Sequence, residues 1–189
     1  MKRIVIFASG SGSNAEKIIL QYKNNSQGNV FGIFTNNPNA KVLEKAKKHN
    51  IESVIFSKDD LSNGFVLEKI NEIKPDLIVL AGFLLKFPKA IIEKYPNKII
   101  NIHPALLPKY GGKGMYGINV HKAVLENKET ETGITIHYVN ENYDEGAFIF
   151  QKSVTIEKCH SAEEIAEKVL ELEHLYFPQI IKEILNSKI

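Results

Sequence analysis

Arg3-Ile4-Val5-Ile6-Phe7-Ala8-Ser9-Gly10-Ser11-Gly12-Ser13-Asn14-Ala15 is the stretch whose reading decides the fold. Its first five residues are a short apolar run of the kind buried inside a parallel sheet. Residues 8–14 are a turn rich in Gly and Ser, and residues 15–22 take helical spacing with Ile18 and Ile19 apolar. A strand, a glycine turn and a helix start present free backbone N–H groups at the positive end of a helix dipole, which is an anion site. The next apolar runs repeat the alternation. Residues 30–34 read as a strand, 40–50 as a helix, 53–56 as a strand and 60–73 as a helix that Pro75 ends. Residues 76–83, the most hydrophobic run, read as the central strand. Such βαβα order with short loops predicts an α/β, Rossmann-like, doubly wound and mostly parallel sheet of about seven strands flanked by helices, with right-handed crossovers.

Gly10-x-Gly12-x-x-Ala15 also fits a dinucleotide fingerprint in its Ala form. An NAD enzyme needs an acid at the end of the second strand for the ribose hydroxyls. Here that strand ends in Thr35-Asn36-Asn37, and the Gly-Lys-Ser/Thr ending of a P-loop is absent as well.

The 189 residues fit one domain with a real core. The 43% hydrophobic and 24% charged content is that of a globular chain. No apolar run reaches the ~18 residues of a membrane helix, and the apolar run after Met1-Lys2-Arg3 is shorter than the ~7 residues of a signal sequence. A cytoplasmic protein is expected. Cys159 is the only cysteine, so a cysteine cluster for a metal is excluded and the thiol reads as structural. A net charge of +2, with Arg3 the single arginine, argues against a nucleic-acid partner.

The chemistry concentrates after the run Lys98-Ile99-Ile100, in Asn101-Ile102-His103-Pro104-Ala105-Leu106-Leu107-Pro108. Asn101 and His103, two apart on a strand, point to one side, and the two prolines stiffen the exit. Glycines 111, 112, 114 and 117 make the following loop flexible, a candidate lid over substrate around residues 113–117. A helix over 119–127, a strand over 132–139, the acidic turn Asn142-Tyr143-Asp144-Glu145-Gly146 and a closing strand over 147–156 come next. Ser161-x-x-Glu164 is a capping box that opens the last helix. Ile165, Val169, Leu172 and Tyr176 are its expected buried stripe, with Glu173 on the flank.

Residues 101–108, together with Gly12-Ser13-Asn14, Leu80-Ala81-Gly82-Phe83, the turn at 142–146 and Glu173-His174, closely resemble the folate-dependent formyltransferases, most of all those acting on glycinamide ribonucleotide. The resemblance runs from Ile4 to about Pro178. It implies formyl transfer from 10-formyltetrahydrofolate, a co-substrate, to the amine of that ribonucleotide in purine biosynthesis, with no metal. By the same resemblance Asn101 and His103 stabilise a tetrahedral oxyanion and Asp144 raises the basicity of His103 and assists proton transfer. Gly12, Ser13, Asn14 and Glu173 hold the ribonucleotide; Leu84, Leu85, Lys86 and Phe87, with Asn101, hold the folate. Leu85 stands where relatives often carry Arg, and Lys58 is a candidate contact for the folate glutamate tail. Formyltetrahydrofolate hydrolases and other folate-dependent formyltransferases share the core motif but usually carry a further domain for which 189 residues leave no room. A non-catalytic nucleotide-binding Rossmann module would have no reason to place Asn101, His103 and Asp144 in these contexts.

Overall fold

Strand β1 (Lys2–Phe7) lies between β2 (Gly28–Thr35) and β4 (Leu77–Leu80), parallel to both. Its residues are buried on both sides. Ile4 and Ile6 join one core cluster with Ile18, Val79, Ile165 and Phe177, while Val5 and Phe7 join the other with Phe34, Val66, Ile78 and Ile91. Burial of both faces is why the run is continuously apolar instead of alternating. The computed structural model describes residues 1–23 and 25–187.

Beyond β2 lies the short β3 (Ser53–Ile55), and beside β4 lies β5 (Ile99–His103), both parallel. Two antiparallel strands, β6 (Glu131–Tyr138) and β7 (Phe148–Thr155), complete the order β3-β2-β1-β4-β5-β6-β7. The most hydrophobic run is thus the middle strand, as its composition predicts. The helices are α1 (Ser13–Tyr22), α2 (Val42–Lys48), α3 (Lys58–Ser62), α4 (Phe65–Ile73), α5 (Lys89–Lys94), α6 (Ile118–Glu126) and α7 (Ala162–Asn186). Among the described residues no helix is long and apolar enough to cross a membrane.

Three sequence expectations are corrected. The helix expected over 60–73 is two helices, because Gly64 turns left-handed at φ 101° and Ser57 starts the first one early through a reciprocal cap with Asp60. In α7, Leu172 and Tyr176 are only partly buried; the centre of the buried stripe passes through Glu173 and Phe177 instead. The cap at Ser161 is half a box. Glu164 N–H donates to Ser161 Oγ at 3.2 Å, but the Glu164 carboxylate accepts from His160 N–H.

The antiparallel turn of β6 matters for the site. Tyr138 pairs with Ile100, so the chain leaves β6 toward the start of β5 and must fold back to bring Asp144 over Asn101 and His103. Gly146 makes that return: a Cβ there would collide with the carbonyl oxygen of Tyr138. Gly146→Ala should therefore cost about 1–3 kcal/mol in guanidinium unfolding, the usual range for overpacking. It should also lower activity by displacing Asp144; an unchanged unfolding midpoint would refute the close approach.

Candidate active site

Asn101 and His103 share one face of β5, and the antiparallel register sets His137 opposite Asn101 and Thr135 opposite His103. Asp144 reaches this group from the β6–β7 loop in a left-handed conformation, φ 57°. Its Oδ2 accepts from Gly112 N–H at 2.9 Å and lies 3.5 Å from His103 Nδ1. Its Oδ1 lies 3.5 Å from both Asn101 Nδ2 and His137 Nε2.

Tautomers follow from the backbone partners. His103 Nε2 sits 2.7 Å from the Tyr110 carbonyl, which only accepts, so Nε2 carries hydrogen and Nδ1 of the neutral ring faces Asp144. His137 Nδ1 lies 2.9 Å from the Tyr138 carbonyl, so in the neutral ring Nε2 is the acceptor that holds Asn101 Nδ2 at 3.1 Å. One amide hydrogen of Asn101 is thereby fixed. The other is held only by the long contact to Asp144.

Burial pushes the His103 pKa down, and although the Asp144 charge and the Tyr110 carbonyl pull it up, it stays below the ordinary value. Asp144 thus makes His103 more basic than burial alone would leave it, as the sequence suggests, but desolvation is the larger effect and favours the neutral ring. Burial also pushes the Asp144 carboxyl up, but His137, the His103 charge and the Gly112 N–H outweigh it and leave the pKa lowered. Asp144 is ionised.

A cavity of about 630 Å³ extends from this cluster in two directions. One end is the β1–α1 loop. Gly12 caps α1 at φ 67°, and a Cβ there would stand 2.5 Å from Val42 Cγ2, so any side chain disrupts the loop itself. The first helical amide bonded back to this cap is Glu16 N–H, to the Gly12 carbonyl at 2.9 Å, leaving the earlier ones as donors. Asn14 Nδ2 donates to Glu173 Oε2 at 2.7 Å, and Asn14 Oδ1 is buried without a protein partner. Glu173 is 8% exposed; burial pushes its pKa up to about 7, against the pull of Asn14. Close by in sequence, Glu16 is occupied by Lys45 (3.1 Å), Lys48 (3.0 Å) and His49 (3.5 Å), and its pKa falls to about 2, with Lys48 the largest cause.

Leu84, Leu85, Lys86 and Phe87 line the other end. Lys58 opens α3 on the surface and is not among the lining residues; the lysines that are, among those described, are Lys86 and Lys113. Every other residue that the sequence nominated for the site faces this one cavity.

The family of formyl transferases matches residues 2–181. The chain belongs to that family. It is 37% identical over 198 residues to a chloroplastic phosphoribosylglycinamide formyltransferase of Arabidopsis thaliana, covering 100% of this chain and 67% of the relative. It is 34% identical over 192 residues to the phosphoribosylglycinamide formyltransferase of Bacillus subtilis, covering 98% and 96%. The solved phosphoribosylglycinamide formyltransferase of Bacillus halodurans superposes with a TM-score of 0.87 at 33% identity, covering 98% of this chain and 96% of that one.

The cavity of this formyl transferase is lined together by the α1 loop, by residues 84–87 and by Asn101. Among the lining residues that the sequence did not nominate are two histidines. His137 was legible only as part of an alternating strand, since its placement depends on the β5–β6 register. His121, on α6, is 5% exposed with Nδ1 buried and unpartnered, and burial, with a smaller push from His103, lowers its pKa to about 4. Among the described residues no group of three His, Cys, Asp or Glu could hold a metal ion.

Glu173 ties stability to pH. Its folded pKa of about 7 exceeds the ordinary 4.5, so the contribution is fully present below pH 4.5 and is lost as pH rises through 7. Glu173→Gln should remove this dependence. In ligand-free protein, the Tm of the variant minus that of the parent should rise between pH 4.5 and 8; a difference that is flat with pH would show that Glu173 titrates normally.

Proposed function

We infer that the chain transfers the formyl group of 10-formyltetrahydrofolate to the amine of phosphoribosylglycinamide, a step of purine biosynthesis. The observation that carries this reading is the convergence of Asn101, His103 and Asp144 on one cavity that also holds the α1 amides. The names of its relatives support the same acceptor. A cytoplasmic location is part of the proposal; the Arabidopsis relative is chloroplastic, and fractionation of the native cell distinguishes the two.

The α1 amides and Ser13 receive the phosphate, Asn14 and Glu173 orient the ribonucleotide, and residues 84–87 with Asn101 receive the folate. The loosely held second hydrogen of Asn101 turns to the formyl oxygen as that oxygen gains charge. A preorganised donor of this kind contributes ~10²–10³ in rate. His103 starts neutral, with Nε2–H committed to the Tyr110 carbonyl, so its proton traffic runs through Nδ1. A proton taken there from the incoming amine creates an imidazolium beside the ionised Asp144, and the same proton is delivered to the leaving nitrogen. His103 joins Asn101 at the formyl oxygen while it is charged. Residues 113–117 close over the ribonucleotide.

Purified protein should release little tetrahydrofolate from 10-formyltetrahydrofolate alone and release it rapidly once glycinamide ribonucleotide is added. Formate release without the ribonucleotide would instead identify a hydrolase. Asn101→Ala, His103→Ala and Asp144→Asn should each lower kcat at least ~10²-fold, with losses that do not add in double variants. Near-full activity in Asp144→Asn would remove that residue from the proton path.

A further inference from the structure

Thr35-Asn36-Asn37, which ends β2 where a dinucleotide enzyme carries an acid, has no part in the site described above. The structure gives it one. Ser9, 7% exposed and immediately before the glycine loop, donates its hydroxyl hydrogen to Asn36 Oδ1 at 2.7 Å. Ser9 Oγ in turn accepts from Leu84 N–H at 3.1 Å. Ser9 N–H donates to the Gly82 carbonyl at 3.0 Å, and Asn37 Nδ2 donates to the Ser9 carbonyl at 3.3 Å. Asn37 is in turn held by Thr35 Oγ1, which accepts from its N–H at 3.3 Å. The carboxyl ends of β1, β2 and β4 thus meet at one side chain, between the loop assigned to the ribonucleotide and the wall assigned to the folate.

We propose that Ser9 is a positioning residue for the folate wall: Asn36 aims its hydroxyl, the hydroxyl anchors the Leu84 amide, and the anchor fixes residues 84–87 against the glycine loop. The hydroxyl is suited to this because it donates and accepts at once. With its hydrogen fixed on Asn36, its lone pairs face Leu84. The Leu84 amide follows Gly82, which turns the chain out of β4 at φ 74°; Phe83 and Phe87 pack on Phe7, and the Ser9 hydroxyl holds the backbone between them. The proposal rests on residues 84–87 being the folate wall.

The test is the separation of the two KM values. Ser9→Ala leaves the Leu84 N–H unpaired, so the KM for 10-formyltetrahydrofolate should rise about tenfold, the usual consequence of stranding one half-buried amide. The KM for the ribonucleotide should stay within about twofold, and the pH profile of kcat should keep its shape. Asn36→Ala keeps the hydroxyl but releases its aim, and should show the same split to a smaller degree. The double variant should be no worse than Ser9→Ala, because both act on one bond. If Ser9→Ala does not fold, Asn36→Ala carries the test alone. A folate KM unchanged in the folded variants overturns the proposal, and so does an equal rise in both KM values, which is what loss of general rigidity would give. Leu85→Ala and Lys86→Ala separate the two levels. If they raise the folate KM while Ser9→Ala does not, the anchor fails and the wall stands; if neither does, the wall was misassigned and the anchor falls with it.

Discussion

A carboxylate held mostly out of water must find its partners inside the protein, and the arrangement around Asp144 follows from that constraint. Its oxygens accept from Gly112 N–H and Asn101 Nδ2, and stand 3.5 Å from His103 Nδ1 and His137 Nε2, which become donors when their rings are protonated. Each partner comes from a different piece of architecture. Asn101 and His103 need the two-residue period of β5, and His137 needs antiparallel β6 in its observed register. Gly112 needs the turn after the stiff Pro108 segment, and the acid itself needs a left-handed residue and the tight return at Gly146. Moving any one leaves a buried charge short of a partner, at a cost of about 1–3 kcal/mol or more.

The same competition between burial and pairing acts on three groups of the cavity, Asp144, His103 and Glu173. At Asp144 the partners outweigh burial and the group stays ionised. At His103 and Glu173 burial outweighs the partners, and at His121 burial and the His103 charge push the same way, which favours neutral rings and leaves an acid poised close to neutrality. One fixed negative charge beside a neutral base is an arrangement in which a proton gained is stabilised at once and still given up readily.

Much of this was legible in the sequence, for identifiable reasons. Buried strands announce themselves as apolar runs, so β1 and the central place of β4 could be read directly. Asn101 and His103 declared their common direction through period two, and the glycine loop declared the turn from strand to helix at Gly12. What could not be read depends on long-range register or on burial. His137 becomes a partner of Asn101 only once β6 is known to run against β5. Glu173 reads as a flank of its helix until packing against α1 turns it inward. The lowered pKa of His103 reflects how deep the ring lies, which its neighbours in the chain do not reveal. Ser9 looks like one more small residue of a turn until the ends of three strands meet at it.

The ion cluster at Glu16 bears on how this enzyme tells one anion from another. Lys45, Lys48 and His49 lie in the region after the glycine loop, yet all three are directed at one carboxylate on the first turn of α1. That carboxylate balances one of the two lysine charges, and what remains near the loop is the other charge together with a set of backbone amides with fixed directions. Amides of this kind attract weakly at a distance and discriminate strongly on arrival. The remaining lysine charge acts at long range and is screened by salt, whereas the amides act only at contact and through their geometry, so ionic strength would alter approach to the loop more than fit within it.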